Sequence, residues 1–219
     1  MDIVKETLRF VNEYHANDCS GHGPDHVLRV WKTAKQLGVW EAARHEMAAD
    51  KGEVDMLVLE LAALLHDVDD HKINPGGHVA EKFLNKMGVN PLIIRRVVET
   101  IGAVSFSVSG AHPKFDTIEQ CLLSDADKLD AMGAIGVCRA VAYGAVKGRK
   151  LYKPQPTEEN NQEPGASEEA TTVGHFYEKL LLLKGAMQSE AGKREAERRH
   201  NFLVAFLEEL EREVGEINN

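Results

Sequence analysis

The segment Leu61–Lys72 reads LAALLHDVDDHK and changes character halfway along its length. Its first five residues are apolar and continue an apolar run from Met56, which predicts a buried central helix. The residues that follow include His66, Asp67 and Asp70. Because a buried carboxylate costs several kcal/mol unless it is paired or binds a metal, the polar end of this helix is a candidate metal site.

Two further stretches carry the same kinds of side chain. GHGPDHVLRVWKTA begins at Gly21 and places His26 early on an amphipathic helix. SDADKLDAMGAIG begins at Ser124 and holds three carboxylates among apolar residues, namely Asp125, Asp127 and Asp130. Imidazole nitrogen and carboxylate oxygen together suit hard or borderline divalent cations. For His66 taken alone, an exposed helix C-terminus favoured by the helix dipole is the alternative interpretation.

The remaining pattern predicts an all-α fold. Apolar residues recur at helical spacing through most of the chain, and no strand-like alternation of any length is present. Pro24 and Pro91 suit the first turn of a helix, and Gly88 suits a C-terminal stop. We expect the helical pattern after Ser124 to loosen around Gly133 before a further helix follows.

The sequence predicts one domain over residues 1–219. Its core, with the metal site, is expected in 21–147, and two closing helices are expected in 173–214. Residues 148–172 are rich in Pro, Gly, Asn, Gln and Glu and bury little apolar surface. A long polar segment of this kind is either mobile or a substrate-covering lid, and the sequence leaves both interpretations open.

Charge and cysteine content limit the classes of function. The net charge of −9 argues against nucleic-acid or anionic-membrane binding, although a bound metal would still allow an anionic small substrate. The cysteines are three, widely spaced and without a CxxC pair, which fits a reducing cytoplasm. Neither a signal peptide nor an apolar run of membrane-spanning length is visible, so we expect a cytoplasmic protein. A homodimer is left open.

The order of these motifs resembles that of the HD-domain metal-dependent phosphohydrolase superfamily. His26 followed by VLRV, then His66-Asp67, then ADKLDA around Asp127 repeat its ligand order. Further stretches resemble a bacterial-type branch of standalone HD proteins, namely RVW, AALLHDVDDHK, SFS, DADKLDAMGAIG and HFYEKLL. The resemblance implies a helical bundle with C-terminal helices packed on it.

The resemblance also implies one divalent cation held by His26, His66, Asp67 and Asp127. Asp127 is preferred because ADKL is similar to the ADRL pattern that carries the ligand in ppGpp-hydrolysing HD domains. Asp125 and Asp130 stay alternatives, with pairing to neighbouring groups as their other interpretation. The mixed nitrogen and oxygen donors favour Mn²⁺, with Mg²⁺, Co²⁺, Ni²⁺, Zn²⁺ and Fe²⁺ as alternatives.

A second metal is not expected, because the additional histidines lie in or near predicted loops and are interpreted as surface residues. These histidines are His71, His78 and His112.

Asp70 is the candidate general acid or base, with Asp67 as its catalytic neighbour. Asp70 lies four residues after His66, where related HD nucleotidases carry a glutamate. A solvated acidic turn is the alternative interpretation of Asp70. The candidate substrate contacts are His22, Arg29, Lys72, Lys128 and Lys179. Of these, Arg29 would orient Asp67 or a phosphate, His22 would otherwise hold its loop, and Lys179 would otherwise lie on a solvated helix face.

The function predicted from the sequence is hydrolysis of a nucleotide or a similar phosphorylated metabolite, with release of phosphate or pyrophosphate. One alternative is a cyclic-nucleotide-type phosphodiesterase, which the lack of a second metal set disfavours. The other is a non-catalytic metal-binding interaction or sensor module.

Overall fold

A computed structural model of the chain describes residues 2–16, 23–44, 53–69, 76–104, 115–152 and 171–217. Within these ranges the secondary structure is helical, and no strand occurs. The helices are α1 (Ile3–Tyr14), α2 (Pro24–Arg44), α3 (Met56–Leu65), α4 (Val79–Lys86), α5 (Pro91–Val104), α6 (Ile118–Asp130), α7 (Gly133–Val146), α8 (Thr172–Glu178), a 3-10 helix (Leu180–Ala186) and α9 (Glu190–Ile217). The predicted all-α fold is confirmed.

The chain divides into two compact units. The first comprises Met1–Asp130 and Met187–Glu195, and the second comprises Ala131–Ala186 and Ala196–Asn219. The first unit therefore contains α1 to α6 together with the start of α9. The organisation of residues 1–219 as one domain stays a prediction.

The centre of the first unit is α3, as the apolar run predicted. Asp55 caps its N-terminus by accepting hydrogen bonds from the backbone N–H groups of Leu57 and Val58. The helix packs against α1, α2, α5 and α6, and its residues 61–65 are fully buried. Each buried leucine contributes about 1.5–3 kcal/mol to the free energy of folding. The packed helix is therefore a stable support for the residues that follow it.

The neighbouring helices also follow the sequence pattern. The predicted apolar face of α2 is buried, with Val27, Val30, Ala34 and Leu37 in the core. Gly88 ends α4 with a φ of +70°, a left-handed conformation that glycine adopts without strain. Within the described ranges no single helix has the length and hydropathy needed to cross a membrane. Only α6 and α7 counted together, with a break between them, reach that threshold.

The second unit departs from the predicted pair of closing helices. The first of the pair is divided, because α8 stops at Glu178 and the next residues form a 3-10 helix. Lys179 between them has φ −136° and ψ −56°, which is outside helical geometry. The leucine run after it therefore does not continue α8, although the second closing helix, α9, is present as predicted.

The polar segment 148–172 falls mostly outside the described residues, because 153–170 are not among them. Its ends are joined within the second unit: the backbone N–H of Thr172 donates to the carbonyl of Lys150 at 3.0 Å, and a similar bond follows one residue later. The choice between a lid and a mobile loop stays a prediction.

A buried carboxylate in α6 holds the start of α9. Asp125 is fully buried, and its Oδ2 accepts hydrogen bonds from the backbone N–H and the hydroxyl of Ser189 at 2.8 and 2.6 Å. Its Oδ1 accepts from the backbone N–H of Gln188 at 2.8 Å. Burial raises the pKa of Asp125, and these hydrogen bonds oppose the rise. Since both oxygens serve this helix cap, Asp125 is disfavoured as a metal ligand.

We predict that Gly192→Ala destabilises the protein, because this cap leaves no room for a side chain there. A Cβ on Gly192 would lie 2.2 Å from Oδ2 and 2.9 Å from Cβ of Asp125. We expect the free energy of unfolding in urea to fall by about 1–3 kcal/mol, as in other overpacked cores.

The matched control is Gly102→Ala in α5, where nothing lies within 4 Å of the added Cβ. That substitution should be neutral or stabilising by about 0.4–1 kcal/mol, because alanine reduces the entropy of the unfolded chain. Equal stability of the Gly192 variant and the wild type would show that Asp125 does not hold α9 as described.

Candidate metal centre

Three helices of the first unit bring the predicted ligands together. His26 lies in the first turn of α2, and His66 and Asp67 follow directly after α3. Asp127 lies near the C-terminal end of α6. Because α3 packs against both α2 and α6, its polar end lies where their side chains converge.

Three of the four side chains, those of His26, His66 and Asp67, form a compact group of nitrogen and oxygen atoms, and Asp127 contacts this group at His26. His26 Nε2 is 3.4 Å from Asp67 Oδ2 and 3.4 Å from Asp127 Oδ1, and His66 Nε2 is 3.4 Å from Asp67 Oδ1. One ligand atom each from His26, His66 and Asp67 lies within 4.8 Å of the others. The Asp127 side chain is 42% exposed, whereas that of His26 is 3% exposed. Solvent therefore reaches the group at Asp127.

His66 supplies the test of whether a metal fits. Its Nδ1 lies 2.9 Å from the carbonyl oxygen of Ala63, which can only accept a hydrogen bond, so Nδ1 carries the proton. Its Nε2 is buried and has no hydrogen-bond partner among the described residues. A buried polar atom without a partner costs about 1–3 kcal/mol. His26, His66 and Asp67 can hold a divalent ion, and such an ion would satisfy this nitrogen.

The charges around His26 favour a cation in the same place. Burial alone would lower the pKa of His26, but hydrogen bonds with Asp127 and Asp130 and the charge of Asp67 outweigh it and raise the pKa to about 9. The partial burial of Asp127 opposes its ionisation, yet its contact with His26 and the charges of His66 and His26 lower its pKa. The carboxylates thus hold positive charge at the position where a metal would lie.

Asp130, an alternative ligand in the sequence, is occupied by other groups. Its Oδ2 lies 2.7 Å from His26 Nδ1. Its Oδ1 accepts a hydrogen bond from Arg29 Nε at 2.7 Å, and Oδ2 accepts one from Arg29 Nη2 at 3.1 Å. Arg29, which we expected to orient Asp67 or a phosphate, is therefore paired with Asp130. A matched spacing was the only sequence signal, since Arg29 follows His26 by three residues and Asp130 follows Asp127 by three.

Of the other predicted substrate contacts, the structure describes Lys128 and Lys179, and their role as substrate contacts stays a prediction. Lys128 Nζ bonds to the carbonyl and hydroxyl of Ser124 and lies 5.9 Å from the Phe115 ring centroid. Burial lowers the pKa of Lys128. Lys179 is exposed and belongs to the second unit. Three predicted site residues lie outside the described ranges, namely His22, Asp70 and Lys72.

The structure also shows the surroundings of His78, one of the additional histidines, and of Asp69. His78 is exposed, and its Nδ1 lies 3.2 Å from Glu81, which agrees with its interpretation as a surface residue. His71 and His112 are outside the described residues. Asp69 accepts hydrogen bonds from the backbone N–H groups of Val79 and Ala80 at the start of α4, so it holds a helix end.

Comparison with known proteins agrees with this fold. A family model described as the HD domain matches residues 25–132. The YpgQ protein of Bacillus subtilis (strain 168) is 32% identical over 98% of this chain and 95% of its own length. A solved HD-superfamily hydrolase from Bacillus thuringiensis is 32% identical, with a TM-score of 0.73 over 97% of this chain and 96% of that one. Bacillus subtilis YpgQ, solved in complex with ADP, is 28% identical, with a TM-score of 0.73 over 96% of this chain and 97% of that one.

This chain belongs to the HD-domain family. Its similarity to the YpgQ-like bacterial members extends over nearly the whole of both chains. The match to the family model contains the group described above, from His26 to Asp127. The fold and these relatives support a metal-dependent hydrolase.

We predict that His66→Ala abolishes stoichiometric metal binding, because it removes the buried nitrogen that has no other partner. Metal content is measured by elemental analysis after dialysis against Mn²⁺. His78→Ala is the matched control, since that histidine is exposed and pairs with Glu81. Retention of wild-type metal content by the His66 variant would refute the assignment.

Proposed function

We propose that this protein is a metal-dependent phosphohydrolase that acts on a nucleotide or a similar phosphorylated metabolite and releases phosphate or pyrophosphate. The observation that carries the proposal is the buried Nε2 of His66, which makes no hydrogen bond with any described residue and faces Asp67 beside His26. The complex of YpgQ with ADP supports a nucleotide as the ligand class.

The proposed metal ligands are His26, His66, Asp67 and Asp127, and the proposed ion is Mn²⁺. Two imidazole nitrogens and two carboxylates suit a first-row divalent ion better than Ca²⁺. When bound, such an ion supplies Lewis acidity toward a phosphoryl oxygen and makes water a better nucleophile at neutral pH. Four protein ligands leave coordination positions for water and substrate.

The remaining roles, namely positioning, proton transfer and phosphate contact, are assigned to residues of the chain. Asp67 lies between the two histidines and fixes their separation through its two oxygens. Asp70, four residues after His66 in the sequence, is proposed to take a proton from the attacking water and return it to the leaving group. His22 and Lys72 are proposed phosphate contacts. The pairing of Arg29 with Asp130 favours an orienting role for this arginine over direct contact with a phosphate.

A screen of product release tests this proposal and its competitors. Phosphate and pyrophosphate release from nucleoside mono-, di- and triphosphates, and nucleoside monophosphate formation from cyclic nucleotides, are measured with Mn²⁺, Mg²⁺, Co²⁺ or a chelator. We expect chelator-sensitive turnover of at least one nucleotide and none in His66→Ala. Turnover restricted to cyclic nucleotides would support a phosphodiesterase, and metal binding without turnover of any substrate would support a sensor module.

We predict that Asp70→Asn separates chemistry from metal binding. The amide keeps the shape of the side chain but cannot titrate, so turnover should fall by roughly 10²–10⁴-fold. Metal content and KM should change little, because the proton transfer occurs in the transition state. Steady-state kinetics and elemental analysis on the same preparation check both. Loss of metal would make Asp70 a ligand, and full activity would remove it from the mechanism.

A further inference from the structure

We infer that Asp130, held in place by Arg29, is the positioning residue that aims Nε2 of His26 at the metal. The inference rests on the proposed metal site. Within that site it assigns a role to two residues that touch neither the substrate nor the reacting atoms.

The first step is the contact between Asp130 and the far side of the His26 ring. Oδ2 of Asp130 lies 2.7 Å from Nδ1, and the Asp130 side chain is 4% exposed. An ionised carboxylate only accepts hydrogen bonds, so Nδ1 must carry a proton when His26 binds a metal. The lone pair is then on Nε2, the nitrogen that faces Asp67 and Asp127.

The second step is the pair of hydrogen bonds that Arg29 donates to Asp130. The guanidinium uses Nε and Nη2 on different oxygens of the same carboxylate, which fixes the plane of that carboxylate as well as its position. The pair also neutralises the charge of Asp130. Asp130 therefore supports His26, while the charges of Asp67 and Asp127 are left for the ion.

The two histidines differ in how they are held. Nδ1 of His66 bonds to the carbonyl of Ala63, three residues earlier in the chain, so its orientation is set locally. Nδ1 of His26 bonds to a side chain 104 residues away on α6. Loss of Asp130 should therefore release His26 and leave His66 unchanged, a difference that a purely structural role for Asp130 would not produce.

The test uses Co²⁺ as the probe. In Co²⁺ proteins the Nδ1 proton of each coordinated histidine gives a strongly shifted proton NMR signal, which is lost when that proton exchanges freely with water. Wild type should show one such signal for His26 and one for His66. Asp130→Ala should lose the first and keep the second, and Co²⁺ affinity measured by calorimetry should fall roughly 10–100-fold, as for other partners of metal ligands.

Two further variants test whether the hydrogen bonds from Arg29 to Asp130 contribute to metal binding. Arg29→Lys keeps the charge but cannot form the two-point contact, so it should weaken Co²⁺ binding less than Asp130→Ala does. The double variant should bind no more weakly than Asp130→Ala, because Arg29 acts through Asp130. Glu99→Ala is the control, since it removes an exposed carboxylate that pairs with Arg95 in the same unit. It should leave both signals and the affinity unchanged.

The outcomes separate this inference from the metal site itself. If Asp130→Ala keeps both signals and wild-type affinity, the positioning role is wrong and the metal site stands. If wild type binds no Co²⁺, both are wrong. If Asp130→Ala does not fold, Arg29→Lys is the deciding variant. It should fold, because the Arg29 side chain is 33% exposed and lysine keeps the positive charge. Unchanged affinity and an unchanged His26 signal in that variant would overturn the inference.

Discussion

The site depends on the burial of charged and polar groups at the end of an apolar helix. The apolar side chains of α3 fix His66 and Asp67 at a point where α2 and α6 meet. Buried carboxylates at that point are tolerated only with partners, because an unpaired buried charge costs several kcal/mol. The ring of His26 is such a partner for Asp67 and Asp127, and the proposed ion would be one for the nitrogen of His66.

Helix α6 carries three carboxylates, and each of them has a polar or charged partner, as this constraint requires. Asp125 turns to the start of α9, Asp127 faces the histidines, and Asp130 pairs with Arg29. These three carboxylates lie within six residues. Asp125 caps α9, whereas Asp127 and Asp130 contact the two different nitrogens of the His26 ring. At about 100° per residue, Asp127 and Asp130 lie about 60° apart around the helix and face His26 together, whereas Asp125 lies about 160° from Asp127 and faces α9.

Local patterns predicted the parts of the fold that depend on neighbouring residues. The buried face of α2, the extent of α3 and the stop at Gly88 all follow from apolar spacing and turn chemistry. Pairings across helices were not predictable in this way. Nothing within DKLD states that its last carboxylate meets Arg29, a residue 101 positions away. The division of the first closing helix at Lys179 was also missed, because the leucine run after it is compatible with either helix type.

The cap that joins Asp125 to Ser189 has a consequence for how such chains change in evolution. It links residues 64 positions apart within the first unit, and the chain between 131 and 186 belongs to the second. Closing a loop costs only about 0.6 kcal/mol more for each doubling of its length. Loop closure therefore opposes a change of chain length between these anchor points only weakly, as long as the change falls outside α7, α8 and the 3-10 helix.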